Sequence, residues 1–268
     1  MLRFFRNLWR YRHYIVRSAR AELQSEVADS YLNWLWWIIE PLCFMGIYTF
    51  VFGYIFQRGQ PHFASFVFLG LTVWEFFNRM LNEAVQLLRR HGELVTRVYI
   101  PKYVLLVAKS LTYLFKMGIS FLLALGLMAL QGVPFQLKML VTLPILAVFY
   151  IVTFGISLFL LHLGVIFSDM TNLVTIGLRM VFYMSGVFYN IRRLASHIAN
   201  GTLAFWMIRS NPVAFCMDEV RKAMLEENRP PWNTSWEGIL MWLAIGIVLV
   251  WAGVALVHKN ENTYAKIM

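Results

Sequence analysis

Six stretches of the chain are almost continuously apolar: 32–56, 63–77, 103–130, 139–167, 173–189 and 239–257. Within them the charged residues are single or widely spaced: Glu40, Glu75, Lys109, Lys116 and Arg179. A hydrocarbon layer of about 30 Å takes about 20 helical residues to cross, so runs of this kind predict transmembrane helices. The second run is short. The third and fourth exceed what a bilayer needs, which predicts tilt or extension beyond it.

Two further segments have patterns of their own. Arg3, Arg6, Arg10, His13, Arg17 and Arg20 recur at helical spacing. Phe4, Leu8, Tyr11 and Ile15 mark an apolar stripe on another face, with Phe5, Trp9 and Val16 beside it. A basic amphipathic helix with aromatics on the opposite face suits the membrane interface, where it meets anionic lipid; packing on a protein partner would give the same pattern. Residues 190–235 mix short apolar pieces with the Asn211–Pro212 break and a helix-spaced run over 213–225. This predicts short helices dipping back into the outer leaflet, where irregular backbone survives only if protein or water satisfies it. The fold class is therefore all-α integral membrane: six transmembrane helices, an N-terminal amphipathic interface helix, and a re-entrant extracellular segment before the last helix. The divisions are 1–30 for the interface helix, 31–258 for the transmembrane domain and 259–268 for a cytoplasmic tail. Within the domain a short basic piece covers about 88–101 and the re-entrant segment about 191–225.

Composition strengthens this reading. Hydrophobic residues make up 59% of the 268 and charged residues 14%, against about 25% charged in soluble domains. The net charge of +10 would suggest nucleic acid in a soluble chain; here it fits loops that face anionic lipid on the cytoplasmic side, and no nucleic-acid partner is expected. Basic residues crowd the first 30 positions, the 79–102 segment and the tail, whereas the outer loops after the first and third spans hold only Arg58 and Lys138. Both termini and the 79–102 segment are thus placed in the cytoplasm of a multi-pass membrane protein. The segment 190–235 is basic as well, but long loops follow this rule poorly. Cys43 and Cys216 lie far apart in apolar surroundings and read as buried small hydrophobes rather than a disulfide. The arginine-rich N-terminus does not read as a signal peptide.

Catalytic motifs are missing from the sequence. It has no G-x-x-x-x-G-K-[ST], no G-x-G-x-x-G, no H-E-x-x-H, no G-x-S-x-G and no D-x-D. A membrane-embedded glycosyl- or phosphotransferase would call for paired carboxylates or D-x-D, and an ion-coupled transporter for internal repeats. Any energy source lies on another protein. Ionisable residues inside spans are costly and so point to function. One reading makes Glu40, Lys116 and Arg179, with Trp37 and Tyr183, a polar path for an anionic substrate. The other makes them snorkelling or paired side chains, such as Glu40 with Arg179 and Lys109 near its helix end. The aromatics Trp34, Trp36, Trp37, Trp74, Phe76, Phe77 and Tyr99 read as an interfacial belt, or in part as faces for sugar rings.

The layout resembles the ABC-2 type permeases that export polysaccharides such as teichoic acid, O-antigen and capsule. Y-L-N-W-L-W-W-I-I-E-P-L (31–42) is similar to the family's Y-L-G-x-L-W-x-x-x-x-P. G-E-L-V-T-R-V-Y-I-P (92–101) is similar to its x-x-L-[IV]-x-[KR]-[VI]-x-[FI]-P, and N-P-V-A-F-C-M-D-E-V-R-K-A-M-L (211–225) to its N-P-[IV] stretch with a closing R-x-x-[ML]. Asn33 stands where glycine is usual, implying looser packing there, and Ser168 where arginine often precedes Asp169. The resemblance implies a homodimer bound to two copies of a separate ATPase, which carries the ATP and Mg; this chain would bind no cofactor and contain no catalytic site. It implies export of an undecaprenyl-linked polymer, with teichoic acid as the first expectation and O-antigen or capsular polysaccharide as the alternative. In the bacterial inner membrane that the resemblance also implies, the 88–101 piece would be a coupling piece presenting Arg90, Glu93, Leu94, Val95, Arg97, Val98 and Tyr99 to the ATPase, with Asp169 at the next cytoplasmic turn, and the 191–225 segment would be an outer gate that includes Asn211 and Pro212.

Overall fold

The computed structural model describes residues 2–28, 31–55, 61–92, 100–191, 202–226, 234–261 and 264, and among these residues there is no strand. The helices are α1 (Leu2–Arg10), α2 (Arg12–Val27), α3 (Trp36–Tyr48), α4 (Phe63–Arg90), α5 (Lys102–Leu130), α6 (Thr142–Ile166), α7 (Met170–Met184), α8 (Thr202–Ser210), α9 (Pro212–Leu225) and α10 (Trp236–Lys259). Four segments are long and apolar enough to cross a membrane: Asn33–Ile55, Lys102–Leu130, Leu137–Ile166 and Trp236–Lys259.

Helix α4 is absent from those four because it is the axis of the bundle. Nineteen of its 28 residues are buried, from Ser65 to Leu88, and it packs against α6, α5, α9, α3 and α7. A helix enclosed by protein can carry polar groups that a lipid-facing helix cannot, provided neighbours satisfy them. Glu75, Asn78, Arg79, Asn82 and Glu83 are such groups, and they dilute the apolar signal. The expected second span of 63–77 is accordingly too short. Met80, Leu81, Ala84, Val85, Leu87 and Leu88 continue the buried stripe and carry the helix 13 residues further, about 20 Å. Residues 88–90 of the expected coupling piece are thus the last turn of α4. Trp74, Phe76 and Phe77, expected in an interfacial belt, are core residues for the same reason. Trp34 and Trp36 are exposed.

Elsewhere the approach of helices decides the contacts. α6 and α10 form the most extensive pair. A Cβ on Gly155 would come within 2.7 Å of Leu249 Cβ, and one on Gly253 within 2.6 Å of Leu158 Cβ. Small residues at such crossings let two backbones close together, which is how helices associate in lipid.

Three local findings correct the sequence reading. Asn33 takes a left-handed conformation, φ 48°; glycine is usual there because that backbone suits a residue without a side chain, and asparagine is among the few others that tolerate it. The N-terminal element is two helices, broken at Tyr11, rather than one. Its stripe of Phe4 and Ile15 is buried against the bundle, while Phe5 and Trp9 remain 63% and 71% exposed. The last correction concerns the fifth span, expected over 173–189: α7 ends at Met184, where Gly186 adopts φ +69°, the usual stop for a helix. Its 15 residues rise about 22 Å, less than the hydrocarbon thickness.

Long-range contacts sort the elements to two ends of the bundle. One end gathers α1, the last turn of α4, the first turn of α5, the α6–α7 turn and the chain beyond α10. Asn7 Nδ2 donates to the Tyr103 hydroxyl at 2.6 Å, Arg89 to the Ser168 carbonyl at 3.3 Å, and His162 Nδ1 lies 2.7 Å from the Tyr264 hydroxyl. Burial, with the Glu261 carboxylate beside it, pushes the Tyr264 phenol up. The other end gathers the start of α4, the end of α5, the turn after α7, and α9 with the start of α10.

Candidate functional site

Between α3, α4, α5 and α7 runs a cleft made of two adjoining cavities of about 540 Å³ and 320 Å³. Pro41, Phe44, Thr72, Glu75 and Ser120 border both. α3 has no buried residue and α7 only Leu178, so the cleft's walls are two helices that the rest of the chain hardly covers.

The sequence-named path residues divide between the two cavities. Arg179 and Tyr183 line the larger with Asn78, Asn82 and Thr175. Glu40, Trp37 and Lys116 line the smaller with Glu26, Arg79 and Tyr113. Glu40 does not pair with Arg179. It accepts from Arg79 at 3.1 Å, and Arg79 also donates to Glu75 at 3.0 Å, one turn earlier on α4. The apolar count stopped at Asn78–Arg79, so Arg79 went unnoticed as the partner; its spacing of four from Glu75 was the available signal.

The lysines of α5 are also held. Lys116 pairs with Glu26, and Lys109 pairs with Glu22 and lies 3.3 Å from Glu83. Glu83 in turn accepts from Arg90 at 3.1 Å. A carboxylate 7% exposed therefore sits between two cations, and a chain of charges runs from α2 through α5 to the last turn of α4. Glu22 and Glu26 are one helical turn apart and Lys109 and Lys116 two, so each pair presents one face. Arg90, expected to reach a partner ATPase, is engaged by Glu83 and Gln86. Glu93, Leu94, Val95, Arg97, Val98 and Tyr99 lie outside the described residues. Pro101 immediately precedes α5, its carbonyl accepting from Val104 N–H at 2.8 Å. Asp169 lies in the α6–α7 turn at the same end, and Arg89 reaches the carbonyl of Ser168 there, in place of a salt bridge from residue 168.

At the opposite end Arg221 dominates. Its side chain is buried at 8% exposure and donates from Nε to the Phe66 carbonyl at 3.0 Å, from Nη1 to Gly186 at 2.8 Å and from Nη2 to Val187 at 2.7 Å. The guanidinium lies 3.6 Å from the centre of the Phe66 ring. A Cβ on Gly70 would collide with it. Arg221 thereby satisfies the buried irregular backbone that follows α7, where an unpaired carbonyl would be costly. Around it, Asn211 caps α9 by accepting from Val213 N–H at 3.0 Å and donates to Ser185 Oγ at 2.9 Å, with Pro212 in the first turn. Lys222 pairs with Asp218 and Glu219, Glu219 accepts from Ser235 Oγ at 2.9 Å, and Lys138 donates to the Glu226 carbonyl. Arg221 was visible in the sequence only as the R of R-x-x-[ML]; three carbonyl partners from distant segments have no sequence signature.

Cys216 is buried as expected, but Cys43 is exposed on α3. Among the described residues no group of three His, Cys, Asp or Glu side chains could hold a metal ion.

No family model matches the chain. It is 24% identical to the O-antigen export system permease protein RfbA of Myxococcus xanthus over 99% of both chains. It is 23% identical to the protein of that name in Klebsiella pneumoniae, over 95% of this chain and 94% of the relative. With the polysialic acid transport protein KpsM of Escherichia coli it shares 23% identity over 90% and 91%. With its four apolar segments, the chain is a multi-pass membrane protein. Along nearly its whole length it is similar to permeases of polysaccharide export, and the resemblance to the ABC-2 type polysaccharide-exporter permease family read from its motifs holds.

Proposed function

We propose that the chain is the permease subunit of an ATP-driven exporter that moves a lipid-linked O-antigen or capsular polysaccharide out of the cytoplasm. The full-length similarity to permeases named for O-antigen export carries this reading. The same names favour it over the teichoic acid expected from the motifs. In this reading a separate ATPase, bound in two copies, supplies ATP hydrolysis and Mg, and this chain performs no catalysis.

Two copies of the chain would face each other across the cleft, since one copy leaves α3 and α7 uncovered and a two-fold pair could enclose a conduit. Six segments would cross the bilayer: the four apolar ones, α4 inside the bundle, and α7 completed by the turn after it. The end holding the α4–α5 junction and the N-terminal helices would be cytoplasmic, with Phe5 and Trp9 in the interface. α8 and α9 would form the re-entrant outer gate. The coupling piece would pass the ATPase's motion to α4 and α5, with Leu94 and Val95 as apolar contacts and Asp169 beside them. Arg179, the cleft cation with no hydrogen bond or ion pair among the described residues, would meet the phosphate that joins glycan to lipid.

Copurification tests the reading. A P-loop ATPase encoded by the native host should come down with the tagged, detergent-solubilised chain at one to one. A chain that purifies alone, while folded, ends the proposal. Leu94→Asp should leave membrane insertion intact and abolish polymer-stimulated ATP hydrolysis.

A further inference from the structure

The charges of the cleft are largely occupied by one another. Glu26, Glu40 and Glu75 face Arg79, Lys116 and Arg179 along its walls, so the formal charges cancel. Arg79 is held by both Glu40 and Glu75, and Lys116 by Glu26. The two carboxylates on Arg79 are still open to the cleft, with side chains 46% and 44% exposed. A carboxylate has about four acceptor positions, and one arginine does not fill two of them. The remaining wall includes the amides, hydroxyls and rings of Asn78, Asn82, Ser120, Thr175, Trp74 and Tyr183 beside aliphatic Leu71 and Leu178.

We infer that the cleft selects a glycan whose repeats carry no charge. The inference rests on the exporter reading above and names the substrate class within it. An uncharged sugar offers hydroxyl donors to exposed carboxylates and amide oxygens, and C–H faces to aromatic rings. A polyanion brings a negative charge with each repeat. It would find one cation without an ion pair among the described residues, Arg179, and carboxylates that repel it. Placing a row of negative charges beside exposed carboxylates with so little to answer them is unfavourable. The basic excess of the chain does not offset this, because it lies largely in the N-terminal helices, the α4–α5 junction and the outer segment rather than on these walls.

The test uses the full chain with its copurified ATPase in lipid nanodiscs. Two end-labelled oligosaccharides of equal length, an uncharged mannan and a polygalacturonate, are titrated by fluorescence polarisation at low salt. The mannan should bind about tenfold tighter or better. In the Glu40→Gln/Glu75→Gln double variant Arg79 is released, and the preference should shrink toward parity. Arg179→Gln breaks no ion pair among the described residues and serves as a second variant. It should weaken polygalacturonate further and so widen the preference for mannan. Polygalacturonate binding the unmodified complex as tightly as mannan, no binding of either oligomer, or an unchanged preference in both variants each overturns the inference. Absence of the ATPase from the preparation would instead sink the exporter reading, and the binding ratio would still judge the selectivity.

Discussion

Arg221 and Glu83 are both buried charges, at opposite ends of the bundle, and they are satisfied in different currencies. Arg221 gives its donors to backbone carbonyls of Phe66, Gly186 and Val187. Glu83 sits among side chains, between Lys109 and Arg90, with Glu22 behind Lys109. Carbonyls are fixed by the fold, so Arg221 has one place to be and fastens α9 to α4 and to the turn after α7. The Glu83 cluster is held by long side chains rather than by backbone carbonyls, so rotamer changes can rearrange it without moving a helix. One end is built as a fastening and the other as a joint. In an exporter the joint would face the ATPase and the fastening would hold the outer gate.

That contrast can be broken most severely at the fastening. Arg221→Met takes the donor from the buried Gly186 and Val187 carbonyls at about 1–3 kcal/mol each, so a loss of about 3 kcal/mol is expected in thermal unfolding of the solubilised protein. Arg221→Lys should recover less than half of it, because an ammonium cannot reproduce the fork. An unchanged melting midpoint in the methionine variant would remove the fastening from the account. Gly70→Ala comes next. Its methyl displaces the guanidinium, and overpacking predicts about 1–3 kcal/mol by the same measurement; a neutral result would mean that Arg221 is free to move.

Changes at the joint should be milder in stability and larger in coupling. Glu83→Gln leaves Arg90 without its carboxylate and Lys109 with Glu22 alone. About 1–2 kcal/mol of stability is expected to go, together with loss of polymer-stimulated ATPase activity while basal activity persists. Retained stimulation would make Glu83 a structural charge only. The smallest effect belongs to Lys116 with Glu26. Either neutral variant should cost about 0.5 kcal/mol and the Glu26→Lys/Lys116→Glu exchange should restore most of it. Adding 1 M salt, where screening acts over about 3 Å, should erase that small difference and leave the Arg221 effect intact.

How much of this was legible in the residues depends on what each helix touches. Helices α5, α6 and α10 face lipid on one side, so their apolar runs mark their bounds to within a few residues. Helix α4 is wrapped in protein, so its polar residues are answered by neighbours and its length was underestimated. The same enclosure turned Trp74, Phe76 and Phe77 from belt residues into core. At the candidate site, Glu40, Lys109 and Lys116 stood out because charges are rare in spans, but their partners did not. Arg79, Glu26 and Glu83 lie in stretches where a charge is unremarkable, and only folding brings them within 4 Å of the residues that were noticed.

By itself the sequence determined that the chain enters a membrane as helices, roughly where they lie, that residues 211–212 break the 190–235 segment, and which family it resembles. These follow from local quantities: apolar length, charge placement and backbone constraints such as proline. The tertiary structure decided which helix is central, which charges cancel and what Arg221 holds. Those depend on contacts between residues up to 155 positions apart in the chain, and pairing at that range leaves no periodicity to read.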